Sequence, residues 1–149
     1  LTLDKQTWTL QQFHFHAPSE NTVHGKRYAM EMHLVHKNAS GELTVVAVMF
    51  DKGTANPELE KLWRVMPQQA EQNVSIKQDL NLNKLLPKNK TYWRFSGSLT
   101  TPPCSEGVTW IVLKQPLTIS AEQLARFTQT MHHDNNRPVQ SLHGRVVVE

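Results

Sequence analysis

The sequence predicts a mainly β domain, with a central, mostly antiparallel sheet and a few short helices at its periphery. Three observations carry this. Six segments have strand length and strand character, against only two with helical spacing. Turn residues separate those segments at short intervals. No repeat, low-complexity tract or linker divides residues 1–149, which therefore read as one domain.

Residues 7–16 alternate. Trp8, Leu10, Gln12, His14 and His16 share one face, and Thr9, Gln11, Phe13 and Phe15 the other, a period of two that means a strand. Pro18, Ser19, Asn21 and Gly25 mark a loop. Residues 28–36 form a second strand with Glu31, His33 and Val35 on one face. A turn at Asn38-Ala39-Ser40-Gly41 leads into a third at residues 43–50, making a hairpin. After a loop at 53–57, Leu59, Leu62, Trp63 and Met66 recur at helical spacing, and Pro67 limits that helix. Residues 79–90 are irregular. Strands are expected at 92–96 and 108–113, around a polar, Pro-rich elbow at 99–104. Ser120-Ala121-Glu122-Gln123 is a capping-box signature opening a helix that buries Leu124, Phe127 and Met131. A polar segment at 132–137 precedes a last short strand near 145–148.

The hydrophobic fraction, 38%, is enough for a core, and the charged fraction, 19%, does not describe a disordered polyelectrolyte. Sixteen Lys and Arg against 13 acids give a formal charge of +3. The basic residues are scattered, so no block reads as a nucleic-acid patch. The longest strictly apolar run, residues 45–50, is far too short to span a bilayer. The chain starts at Leu1 without Met, and its first residues already look strand-like, so the true N-terminus is expected upstream. The single cysteine, Cys104, is a small buried hydrophobe in a reducing compartment or one half of a pair in an oxidising one.

His14 and His16, two apart on a strand, point the same way and can bind one ion. His33 stands on the next strand, and pairing of the two strands brings three imidazoles together. Three protein ligands with an open fourth position describe a catalytic zinc site. Gln12 and Glu31 each lie two residues before a histidine on the same face, placed to hold the tautomer of His14 and His33. Burying such polar groups in apolar strands is costly without a task. A lone H-x-H is more often an ordinary strand pair than a ligand pair. The third histidine and the two polar neighbours bring the metal reading level with that alternative. His24, His36, His132, His133 and His143 lack the pattern and read as loop or surface residues, His36 facing away from His33. Residues His14 to Glu20 also fit the H-x-H-x3-E of cupins, with Glu20 as ligand. Trp8 and Arg27 stand where that motif needs glycines, and its downstream histidine motif is missing. A closed structural zinc or copper site lacks a fourth ligand, since no Cys or further His is placed to supply one.

Five segments in order resemble the α-carbonic anhydrase family. They are Gln12-Phe13-His14-Phe15-His16, Glu31-Met32-His33-Leu34-Val35-His36, Leu99-Thr100-Thr101-Pro102-Pro103, Val108-Thr109-Trp110-Ile111-Val112-Leu113-Lys114, and Asn136-Arg137-Pro138 with Gln140 and Leu142. Each is modest alone; the ordered set covers nearly the whole chain and is specific. The resemblance implies the C-terminal two-thirds of such a domain, built on the family's mostly antiparallel sheet. It implies a zinc enzyme that hydrates CO2 reversibly to bicarbonate and a proton by attack of zinc-bound hydroxide. It implies His14, His16 and His33 as ligands, with Gln12, Glu31 and the Asn135 carbonyl behind them. Thr100 would accept a hydrogen bond from the hydroxide and donate its own proton to Glu20, which as a carboxylate only accepts. The CO2 pocket would comprise Val35, Val45, Leu99, Val108 and Trp110, residues that could equally be plain core, with Thr101 at the rim for bicarbonate.

Ala17-Pro18 after the histidine pair resembles the bacterial branch of the family, where animal members usually carry Trp-Gly. In secreted bacterial members a Cys at the Cys104 position pairs with one near the N-terminus. The resemblance thus implies a disulfide and a periplasmic or secreted location, although a reduced cytosolic thiol fits the residue as well. The family's proton-shuttle histidine lies upstream of the first zinc histidines, outside residues 1–149. A catalytically silent relative would typically lack a zinc histidine, and all three stand here with Thr100 and Glu20. The sequence sets no oligomeric state.

Overall fold

The computed structural model describes residues 1–64, 82–131 and 134–149. Met66, Pro67, His132 and His133 lie outside the described residues. The elements, in order, are β1 (Thr2–Leu3), β2 (Gln6–Thr7), β3 (Thr9–His16), β4 (Thr22–Val23), β5 (Lys26–Arg27), β6 (Met30–Lys37), β7 (Leu43–Lys52), α1 (Pro57–Arg64), a 3-10 turn (Leu82–Leu85), β8 (Tyr92–Ser98), β9 (Glu106–Leu113), β10 (Leu117–Ile119) and α2 (Ala121–Met131). The main sheet runs β3-β6-β7-β9-β8, with β10 added at the end of β7. It is mostly antiparallel, as expected, but β7 runs parallel to both β9 and β10.

Local chemistry explains the elements. Asp4 and Lys5 have φ of 52° and 61°, as do His24 and Gly25 at 49° and 76°. Two positive φ values in a two-residue connection make the tight reverse turns of the small β1–β2 and β4–β5 hairpins. Asn38 Oδ1 accepts from the backbone N–H of Ser40 and Glu42, closing the turn between β6 and β7. Asn56 caps α1: its Oδ1 accepts from the N–H of Glu58 at 3.1 Å and Leu59 at 3.3 Å, with Pro57 in the first helical position. The capping box of α2 is reciprocal. Ser120 Oγ accepts from Gln123 N, and Gln123 Oε1 accepts from Ser120 N, both at 3.2 Å.

The sheet buries two clusters. On one face Met30, Met32, Leu34, Val46, Val48 and Phe50 pack under α1 and α2 through Leu59, Leu62, Trp63 and Phe127. On the other, Val35, Val45, Ala47, Met49, Val108, Trp110 and Val112 form a smaller cluster.

Several expectations change. The alternation through residues 7–16 is broken by a bulge between Leu10 and Gln12, so Trp8 and Leu10 do not continue the histidine face. Trp8 lies before β3, buried, with Nε1 donating to Leu3 O. In α2, Phe127 is buried while Leu124 and Met131 are only half-buried; Gln123 takes the innermost place because it bridges to the Asn56 backbone. No strand forms at 145–148. The chain turns at His143 and Gly144, with φ of 47° and 76°, and only Val148 pairs, with Arg94 of β8.

Candidate metal centre

The pairing of β3 with β6 builds the site. His14 stands directly opposite His33, and His16 opposite Glu31. Since side chains alternate along a strand, His14 and His16 emerge on one face, and His33 meets them from the neighbouring strand. One ring nitrogen from each histidine lies within 4.8 Å of the others.

An oxygen stands close to each of the remaining ring nitrogens. His14 Nδ1 lies 2.7 Å from Gln12 Oε1, His16 Nδ1 lies 3.0 Å from Asn135 O, and His33 Nε2 lies 3.0 Å from Glu31 Oε1. A carbonyl oxygen only accepts, so His14 Nδ1 and His16 Nδ1 carry the proton, while His33 Nε2 faces the Glu31 carboxylate at ion-pair distance. The other three, His14 Nε2, His16 Nε2 and His33 Nδ1, are left for the shared space. His16 Nε2, 3.1 Å from Glu20 Oε1, and His33 Nε2, 3.0 Å from Glu31 Oε1, are both buried without a hydrogen-bond partner. The orphaned His16 Nε2 and the cluster of imidazoles fit a divalent cation of the zinc type.

Electrostatics favours neutral rings at His14 and His16. Burial, together with His33 and His16 nearby, pushes the His14 imidazole down to about 3. Burial and His33 also lower His16. Glu31 is fully buried. Burial alone would raise its carboxyl, but the His33 contact and the Asn21 amides bring it below the usual carboxylate range. Its Oε2 accepts from Glu20 N at 2.7 Å and Asn21 N at 2.9 Å, and its Oε1 from Asn21 Nδ2 at 2.6 Å. Gln12, by contrast, is exposed rather than buried, because it stands on the edge strand where the bulge ends.

Glu20 is buried beside the triad. Its Oε2 accepts from Arg137 N at 2.6 Å, while its Oε1 lies 3.1 Å from His16 Nε2 and 3.8 Å from His33 Nδ1. Thr100 and Glu20 line one cavity of about 730 Å³, shared with Phe95, Trp110 and Arg137. No hydrogen bond joins Thr100 to Glu20 among the described residues; Glu20 Oε1 has no hydrogen-bond partner and turns toward His16. Val35, Val45, Val108 and Trp110 are buried in one cluster with Leu99 packed against it. The Trp110 ring stands 4.9 Å from the His33 ring, and its Nε1 donates to Ser98 O at 3.0 Å. Thr101 is exposed.

Of the other histidines, His24 and His143 are exposed as expected, but His36 is buried. Its Nδ1 bonds Leu34 O, and burial lowers its pKa. Nothing in the sequence marks Asn21 or the Arg137 backbone as part of the site. The partner of Arg137 N is 117 residues away, a contact no local pattern encodes.

Residues 1–149 match the sequence profile of the eukaryotic-type carbonic anhydrases. The chain belongs to the carbonic anhydrase family. A carbonic anhydrase of Klebsiella pneumoniae is 70% identical over the whole of this chain, which spans 61% of that relative's length. Among solved structures, the α-carbonic anhydrase of Thermovibrio ammonificans, in complex with the inhibitor sulfanilamide, superposes with a TM-score of 0.96 at 53% identity. It covers 99% of this chain, which covers 66% of that one. The Photobacterium profundum α-carbonic anhydrase gives 0.94 at 49% identity, with coverage of 99% and 68%. This carbonic anhydrase chain therefore spans under two-thirds of the curated relative it matches at 70% identity. No described helix is long and apolar enough to cross a membrane.

Proposed function

We propose that the chain carries the zinc centre of an enzyme that hydrates CO2 reversibly to bicarbonate and a proton. The observation that carries the reading is the convergence of three imidazole nitrogens whose opposite ring atoms each face an oxygen at 2.7–3.0 Å. His14, His16 and His33 hold the ion; Gln12, the Asn135 carbonyl and Glu31 fix their tautomers. Zinc bound there supplies a water oxygen that is nucleophilic at neutral pH.

The chain's own groups then direct the reaction. Glu20 is held by Arg137 N, and its unpartnered Oε1 would accept the Thr100 hydroxyl proton. With its proton so committed, Thr100 would offer only lone pairs to the attacking oxygen and so aim it. The apolar cluster of Val35, Val45, Leu99, Val108 and Trp110, of which Trp110 lines the cavity, would suit a small linear substrate that forms few polar contacts. Thr101, exposed and next to Thr100 in sequence, would receive the charged product.

The location belongs to the same reading. Cys104 is half-buried at a turn, with φ of 57°, and a disulfide to an upstream cysteine in a periplasmic or secreted parent is part of the proposal. Mass spectrometry of the non-reduced parent tests it: a thiol that labels fully without reduction overturns the disulfide.

Stopped-flow CO2 hydration, run with and without chelation and alongside His33→Ala, tests the activity. Fast, chelator-sensitive hydration that disappears in the variant supports it. A folded, zinc-loaded protein without hydration overturns it and leaves a binding domain on a carbonic anhydrase scaffold.

A further inference from the structure

His16 depends on a residue 119 positions away, and that residue holds on with more than the carbonyl facing the ring. The Asn135 side chain makes two further bonds. Its Oδ1 accepts from Ala17 N at 2.8 Å, and its Nδ2 donates to Phe15 O at 3.0 Å. Its backbone N–H also approaches Ala17 O at 3.4 Å. One residue therefore grips the backbone immediately before and immediately after His16, and the His16 ring as well.

The reason this matters lies in the sheet. Among the described residues β3 pairs with β6 alone. On the other side, Phe15 O and Ala17 N are bonded by the Asn135 side chain. A carboxamide, with an acceptor and a donor side by side, supplies what a strand partner would. Water could satisfy the same two groups, but water would not fix where the Asn135 carbonyl sits.

We propose that the Asn135 carboxamide is a positioning residue for His16. It anchors the 134–138 segment to β3 so that its own carbonyl selects the His16 tautomer with Nε2 free for the metal. The proposal rests on the zinc reading for its consequence, but not for its geometry. The same anchored segment carries Arg137 N to Glu20 at 2.6 Å, so slack at Asn135 also reaches the second buried carboxylate.

The test measures the His16 ring in the metal-free chain by 15N NMR, and zinc affinity by competition with a chelator. In Asn135→Ala the carbonyl loses its two anchors. His16 then shows a mixture of tautomers, and the zinc dissociation constant rises about tenfold, the lower end of what loss of an outer partner costs. Asn135→Asp keeps the acceptor for Ala17 N but sets a carboxylate oxygen against Phe15 O, and shifts both readouts the same way by less. A folded Asn135→Ala with an unchanged tautomer and unchanged affinity overturns the proposal, however much stability it has lost, because a merely structural residue would behave so. If Asn135→Ala does not fold, Asn135→Asp decides by the same criterion. Failure of the unsubstituted chain to bind zinc would sink the zinc reading alone, leaving the metal-free tautomer measurement to judge Asn135.

Discussion

The two faces of the sheet are made from the same strands by the same alternation, yet they are built to different rules. Under the helices, β6 contributes Met30, Met32 and Leu34, and β3 contributes Phe13 and Phe15. On the opposite face the intervening residues are Glu31, His33 and Val35, with His14 and His16. The helix face needs only apolar volume. The site face buries Glu31 at 0% and His33 at 1% exposure, and its buried polar atoms need specific partners. One face supplies stability and tolerates exchange of similar volumes; the other spends part of that stability on holding three imidazoles in one tautomeric arrangement.

The largest expected effects separate the faces directly. Phe127 is 7% exposed, stacks on Trp63 at 5.8 Å and meets Phe15 at 6.1 Å. Phe127→Ala should cost about 3–5 kcal/mol of unfolding free energy, while the protein that remains folded binds zinc as before. His33→Ala should do the reverse. Zinc affinity falls by at least about a hundredfold, beyond the usual cost of losing an outer partner, while the metal-free chain loses only about 1–3 kcal/mol. Urea denaturation and chelator competition on both variants would read this; equal losses of stability would erase the distinction.

Glu31 sharpens it. Its carboxylate accepts three N–H bonds, from Glu20 and Asn21, besides facing His33. In Glu31→Gln one oxygen becomes an NH2 that must face another donor. Zinc affinity should drop about 10–100-fold, and the folded state should lose about 1–3 kcal/mol. A variant equal to the parent in both would show that the negative charge, rather than the shape, is dispensable.

Acid should attack the site face before the other. His14 and His16 have folded pKa values below the ordinary value of about 6.5. The unfolded chain therefore binds protons that the folded chain refuses. Stability falls as pH drops from about 6.5 toward the folded values, about 3 for His14. Buried His36, on the other face, adds in the same direction. Glu31, held below its usual range, stabilises above its unfolded value and loses that contribution as pH falls through its folded one. The urea midpoint of the metal-free chain should decline from pH 7 to pH 5. A flat profile over that interval would contradict the neutral, desolvated rings.

The same comparison explains what could be read from the sequence. Alternation placed Phe13 and Phe15 opposite His14 and His16, and Glu31, His33 and Val35 together, because a period of two is a local property. The turn at Asn38 and the cap at Ser120 are legible for the same reason. The extra residue at the Leu10–Gln12 bulge carries no such signature, so Trp8 and Leu10 were assigned to the wrong face. The parallel pairing of β7 with β9 and β10 depends on where the chain returns. So do the Asn135 side-chain grip, the Asn21 bonds to Glu31 and the Arg137 bond to Glu20. These are contacts between loops and strands, set by tertiary closure rather than by neighbours in sequence.

The smallest effect belongs at Gln12, where the site face meets solvent. Gln12 and Glu31 occupy equivalent places two residues before a histidine of the triad, and the His14–Gln12 contact is the shorter, 2.7 Å against 3.0 Å. Distance alone would rank Gln12 the stronger partner. Burial reverses the ranking. Glu31 is sealed from water, so nothing replaces it, whereas the His14–Gln12 bond is exposed and a water molecule can take the amide's place on Nδ1. Gln12→Ala should therefore weaken zinc binding by less than about tenfold, under the usual range for an outer partner, and leave the urea midpoint unchanged. A loss equal to that of Glu31→Gln would mean that His14 depends on its side-chain partner as strictly as His33 does, and that the site face keeps its rule out to the edge of the sheet.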